Sequence, residues 1–253
     1  MPETASSRGL KHRRKRSKRD ELSGLIETEV LDEELQPSEW DTLQAAFAPE
    51  SAREHTCGRS AMLDWLRHGD YLLASGYADA ATILTNWSLR VPRHEDALAY
   101  PVLFLFRHYL ELRLKDIIWM ANVLCERGFP DHTRPDLSRL WSRHGLPHLW
   151  QQVRDLAAEL GLPGGKSWEY VGRCIHEFSE VDPKSQAFRY LTDPTGKDLH
   201  PIQPGSRGKE RVRHVNLGAL GRVMARVVTM LEGLRTELGE MQDGLDEMQG
   251  FEE

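Results

Sequence analysis

The chain has 253 residues, 40% hydrophobic and 28% charged, with a formal net charge of −6, which is enough for one large domain or two small ones and has the composition of a globular protein. No uninterrupted run of about 18 apolar residues offers a membrane span, so a cytoplasmic protein without membrane insertion is expected. The first residues lack the apolar stretch of a secretory signal, and Cys57, Cys125 and Cys174 are odd in number and in no CxxC arrangement, which argues against a disulfide framework.

Charge is unevenly distributed. Residues 1–20 hold eight of the 33 Lys/Arg and only two of the 39 Asp/Glu, leaving a strongly acidic remainder. Residues 1–28 therefore read as a disordered basic tail. The run KHRRKRSKRD would attract phosphate, in a contact weakened by salt, although runs with nothing apolar to bury are commonly just solvated. Residues 29–69 read as an N-terminal helical extension: SEWDTLQAAFA opens on Ser38 as a candidate N-cap, places Trp40, Leu43 and Phe47 at helical spacing, and is ended by Pro49.

The segment 60–87 reads as further helix, in two pieces if Gly69 or Gly76 breaks it. Pro101 suits the first turn of the next helix, which is expected from about residue 100 to residue 126. That helix is apolar over most of its circumference, as befits a central element surrounded by others. Pro147 opens a further helix with the stripe Leu149, Val153, Leu156 and Leu160. Past GLPGGK, SWEYVGRCIHEFSEV turns Trp168, Val171, Ile175 and Phe178 inward and Glu169, Arg173, His176 and Glu180 outward, until Pro183 stops it. SQAFRYLTDPTGK and ERVRHV flank a loop rich in Pro and Gly and permit a small irregular β-hairpin or an extended excursion.

The last strong element begins at Asn216 as N-cap and carries Leu217, Leu220, Met224, Val227, Leu231, Leu234 and Leu238. Residues 239–253 are short of apolar anchors and read as an acidic disordered tail. The expected fold is all-α, a helical bundle over residues 70–238 with one irregular β excursion before the last helix.

Several motifs are near misses. GLPGGKS is one residue short of a P-loop and follows a helix where a strand is required. HEFSE has Glu180 in place of the second His of the zinc pattern HExxH, so no metal site and no cofactor are expected. There is no GxSxG elbow to single out a catalytic triad.

The most unusual stretch is FLFRHYLELRLK, residues 104–115, where Arg107, His108, Glu111 and Lys115 interrupt an apolar helix. Together with Asn122 they fall within about 100° of arc, a sector shared with Phe104 and Ile118. The opposite arc is apolar apart from Arg113 and Asp116. This is a polar seam beside a core, and buried charges of this kind must be paired. The i, i+4 spacing of Arg107, Glu111 and Lys115 allows an internal ion-pair ladder.

PVLFLFRHYLELRLKDII, RHGLPHLW, and EVDPKSQAFRYLTDPTGK followed by HVNLGALGRVM, within about residues 70–235, resemble a family of uncharacterised bacterial helical proteins related to HEPN domains. The resemblance implies a bundle of four or five helices, a homodimer, and a role with RNA or nucleotides in defence, stress or RNA processing. Many such domains are metal-independent ribonucleases; others bind RNA or nucleotides without cleaving. The ribonuclease signature, an Arg followed after four to six residues by His, is absent from the core helices. Arg207 and His214 satisfy the count but straddle GKERVR in the Gly/Pro-rich excursion and read as coincidence.

Metal-independent RNA cleavage needs a His to move a proton at the 2′-hydroxyl or the leaving oxygen and an Arg to stabilise phosphate charge. His108 or His144 suits the first task, and Arg107 or Arg189 the second. The candidate catalytic set is thus Arg107, His108, Glu111 and His144, with Lys115, Asp182, Ser185 and Arg189 as candidate ligand-binding residues. The bland alternative is that Asp182 and Ser185 cap a turn while Arg189 pairs with Glu111 or another acid. The protein would then be a non-catalytic interaction partner, a scaffold or an antitoxin-like protein.

Overall fold

The computed structural model describes residues 70–91, 95–128, 137–162, 164–190, 192–193, 195–197, 199 and 214–250. The expected basic tail and N-terminal extension, most of the excursion (residues 200–213) and Cys57 lie outside the described residues. Those that are described form an all-α arrangement of five helices: α1 (Asp70–Ser88), α2 (Glu95–Gly128), α3 (Leu146–Glu159), α4 (Lys166–Val181) and α5 (Leu217–Gly250), with a short 3-10 turn at Leu137–Arg139. Among the described residues no strand occurs and no helix is long and apolar enough to cross a membrane.

The near-continuous apolar circumference of α2 has the expected result. This helix packs against α1, α3 and α5, while α5 also meets α1 and α4, and α3 meets α4. Val102, Phe106, Leu110, Leu114, Ile117 and Leu124 of α2 are buried against Ala74, Ala78 and Ala81 of α1, Leu149 and Val153 of α3, and the Met224, Val227 and Leu231 stripe of α5 in one core. In α4, Val171, Ile175 and Phe178 face that core, whereas Glu169, Arg173, His176 and Glu180 are exposed.

Three helix ends follow directly from local chemistry. Asn216 caps α5, its Oδ1 accepting the Ala219 amide at 2.9 Å. At the end of α3, Leu162 N donates to Ala157 O and Gly161 N to Ala158 O, with Gly161 at φ 71°. This is a Schellman ending, which places a glycine where other side chains are disfavoured. Asp182 closes α4 and then turns the chain: its Oδ1 accepts the amides of Gln186 at 2.8 Å and Ala187 at 3.1 Å.

Three expected boundaries are corrected. Gly76 lies inside α1 and does not break it. Helix α2 starts at Glu95, so Pro101 sits within it and not in its first turn; the carbonyl deprived of a partner belongs to the exposed Ala97, where water can serve it. Residues 239–250 are helical and not disordered, because α5 continues through Gly239 and Gly244. Met241 and Leu245 extend the apolar stripe onto the core, and Arg127 pairs with Asp246.

Candidate functional site

Every charged residue of the seam on α2 is buried: Arg107 at 1% exposure, Lys115 at 2% and Glu111 at 3%. The ladder is formed. Arg107 Nη1 lies 3.3 Å from Glu111 Oε2, and Lys115 Nζ lies 2.8 Å from Glu111 Oε1. Burial by itself would raise the Glu111 pKa, but hydrogen bonds from Lys115 and His144 outweigh it and hold the carboxyl below its usual range. Burial, aided by the positive charge of Arg189, acts the other way on Arg107 and loosens its proton against the pull of Glu111 and Asp182.

The ladder also reaches out of its own helix. Lys115 Nζ donates to Trp141 O at 3.1 Å, Arg107 Nη2 donates to His144 O at 2.6 Å, and His144 Nδ1 sits 2.7 Å from Glu111 Oε1. Three buried side chains of α2 thereby pin the short connection that leads into α3. His144 is held twice, by its carbonyl and by its ring, yet its side chain stays 56% exposed. An ionised carboxylate can only accept, so the bond to Glu111 puts a ring proton on Nδ1, and in a neutral ring Nε2 is then the acceptor. A carboxylate that fixes a histidine tautomer in this way prepares it for proton transfer.

His108 occupies a different setting. Its half-buried ring stacks on Phe104 at 5.5 Å between centroids and meets Tyr77 edge-on at 4.5 Å. Desolvation lowers its pKa, the nearby charges of Arg189, Arg107 and Lys115 add to this, and Glu111 opposes. His108 is therefore a neutral ring among aromatics at neutral pH.

Asp182 does cap a turn, and Ser185 lies in that turn with its backbone carbonyl as the acceptor. Arg189, however, pairs with neither Glu111 nor any other acid among the described residues. Its Nε donates to Ser185 O at 2.8 Å, Nη2 bonds the same oxygen, and the guanidinium lies 5.6 Å from the Phe104 ring centre. Residues 182–189 nevertheless reach the seam's flank through the contact of Arg189 with Phe104, and the charges of Asp182 and Arg189 both act on Arg107.

Sequence reasoning noted Arg113 and Asp116 only as exceptions on the apolar arc. Arg113 is fully buried and bonds Asp116 at 2.6 Å, Glu232 of α5 at 2.8 Å and Ser75 of α1 at 3.0 Å, while Tyr109 and Arg235 join the same two carboxylates. The signal was available in α5, where Glu232 and Arg235 each directly follow a buried leucine of the stripe. The histidines set aside from the site behave as expected on the surface: His148 meets Arg143, and His176 pairs with Glu180 at 3.4 Å. Arg207 lies outside the described residues. No group of three or more His, Cys, Asp or Glu among the described residues is placed to hold a metal ion.

No family model matches the chain, and neither the curated proteins nor the solved structures include one that matches it.

Proposed function

We propose that this is a HEPN-like protein that binds RNA or nucleotides and acts as a metal-independent ribonuclease in bacterial defence or stress response. The observation that carries the reading is the double hold on His144: two buried residues of the central helix fix one half-exposed histidine, Arg107 through its backbone carbonyl and Glu111 through its ring. Ion pairs that merely stabilise a bundle need no such outlet. In the proposed reaction, His144 Nε2 takes the 2′-hydroxyl proton as that oxygen attacks the adjacent phosphorus. The bond from phosphorus to the 5′-oxygen breaks, a 2′,3′-cyclic phosphate forms, and the leaving oxygen takes a proton from water or from an acid at the site. Arg189, with no carboxylate partner among the described residues, supplies charge to the phosphate. Glu111 and Arg107 position His144 and do not touch substrate, and the buried Lys115 holds both Glu111 and the Trp141 carbonyl.

A second reading, the non-catalytic interaction protein, is favoured by the saturation of Glu111, which accepts from three partners and leaves that carboxylate committed to structure. Incubating the full chain with end-labelled RNAs of varied sequence, with and without chelator, separates the two. Cleavage that survives chelation, leaves cyclic phosphate ends and is lost in a folded His144→Ala variant is the expected result. Absence of cleavage across all RNAs supports the interaction protein instead.

A further inference from the structure

Outside the Glu111–His144 pair lies a second arrangement, which takes no part in proton transfer. Ser185 is buried with φ 57°, a left-handed conformation held by the two Asp182 bonds to the following amides. Its carbonyl is thereby turned to receive two donors of Arg189. Ala187 and Phe188, next in the chain, are buried in the core. The turn is thus fixed from both sides, and an exposed guanidinium that would ordinarily move freely is held in one place. Its carbon lies 5.6 Å from the Phe104 ring centre and 5.5 Å from that of Tyr190, a residue 56% exposed. No acid among the described residues lies within ion-pair distance of Arg189. A pre-ordered cation with no acid partner among the described residues, set beside an exposed tyrosine, has the two features that single-stranded nucleic acid requires: charge for a phosphate and a π-surface for a base.

We infer that Phe104, Arg189 and Tyr190 form a stacking platform for one unpaired base of a single-stranded nucleic acid, with Tyr190 stacking on the base and Arg189 taking the adjacent phosphate. This rests on the RNA-binding reading and deepens it: the ligand is a strand with unstacked bases, and duplex is excluded because its bases are already stacked on each other. Tyr190 is a specificity residue here, since stacking favours purines with their larger faces, and it takes no part in proton transfer.

The test uses the full chain and fluorescein-labelled 2′-O-methyl oligoadenylate, which lacks the attacking hydroxyl and stays intact, read by fluorescence anisotropy. Its comparators are a strand of equal length with abasic sites and a duplex. Tyr190→Ala should weaken oligoadenylate binding about ten-fold or more, the scale of one base–aromatic stack, and leave the abasic strand unaffected. Tyr190→Trp should retain the affinity, and Arg189→Ala should weaken both strands. The exposed position of Tyr190 keeps its variants folded, which circular dichroism checks. If the native chain binds oligoadenylate but Tyr190→Ala binds it equally well, or if the abasic strand or the duplex binds as tightly, the platform is wrong while the RNA-binding reading stands. If the native chain binds none of the three, both fall together.

Discussion

Glu111 is one carboxylate with three cationic or protonatable partners, so its loss leaves Arg107 and Lys115 buried without a counter-charge. Removing one member of such a buried set costs about 3–5 kcal/mol, and Glu111→Ala should lower the urea midpoint accordingly. Glu111→Gln keeps the shape and one acceptor and should cost less. The same residue sets an acid limit. Its folded pKa lies below the ordinary 4.5, so the unfolded chain binds the proton first as pH falls. The stability it contributes is complete above 4.5 and is lost as pH drops through the lowered folded value. His108 adds a slope nearer neutrality: its folded pKa is below 6.5, so below that pH the unfolded state protonates while the folded ring resists. Thermal denaturation from about pH 7.5 to pH 5.5 should show stability falling in the wild type and falling less in His108→Phe. An identical slope in the two would show that His108 is not the buried neutral base described above.

At the level of the helices, packing decides where sequence signals hold and where they mislead. The stripes of α3 and α4 were legible because each has one clearly apolar face, and the Asn216 cap because its chemistry is local. The end of α5 was not, since Met241 and Leu245 are sparse anchors whose value depends on α2 being long enough to reach them. Pro101 misled for a similar reason: a proline inside a helix is tolerated if the orphaned carbonyl is exposed, which depends on tertiary context. A test specific to this packing is Gly172 in α4, where an added Cβ would come within 2.9 Å of Nε1 of the buried Trp150. Gly172→Ala should cost about 1–3 kcal/mol by overpacking, although alanine is ordinarily the better helix former. A gain in stability on urea denaturation would mean that the indole can move aside at no cost.

Across the whole molecule, α2 serves both as the core and as the source of the site, and this explains why a buried helix carries so much charge. One flank spends Arg107, Glu111 and Lys115 on the connection at Trp141–His144; the other spends Arg113 and Asp116 on α1 and α5. The first flank was legible from residue spacing, since i, i+4 pairs lie within one helix. Its target was not, because a bond from Arg107 to a backbone carbonyl 37 positions away leaves no trace in composition or periodicity. If the chain binds RNA as proposed, deleting residues 1–20 should flatten the dependence of that affinity on salt, each lost phosphate contact removing about one unit or less from the slope of log K against log salt. An unchanged slope would assign the electrostatic contact to residues beyond this run.

The most direct measurement is the tautomer of His144. Nitrogen-15 NMR of the imidazole at about pH 8, where an ordinary histidine is neutral, should show the proton on Nδ1 in the wild type. Glu111→Ala should release that preference. A proton on Nε2 in the wild type, or a ring whose tautomers are unchanged by losing Glu111, would contradict the claim that the buried Glu111 of the central helix orients this histidine.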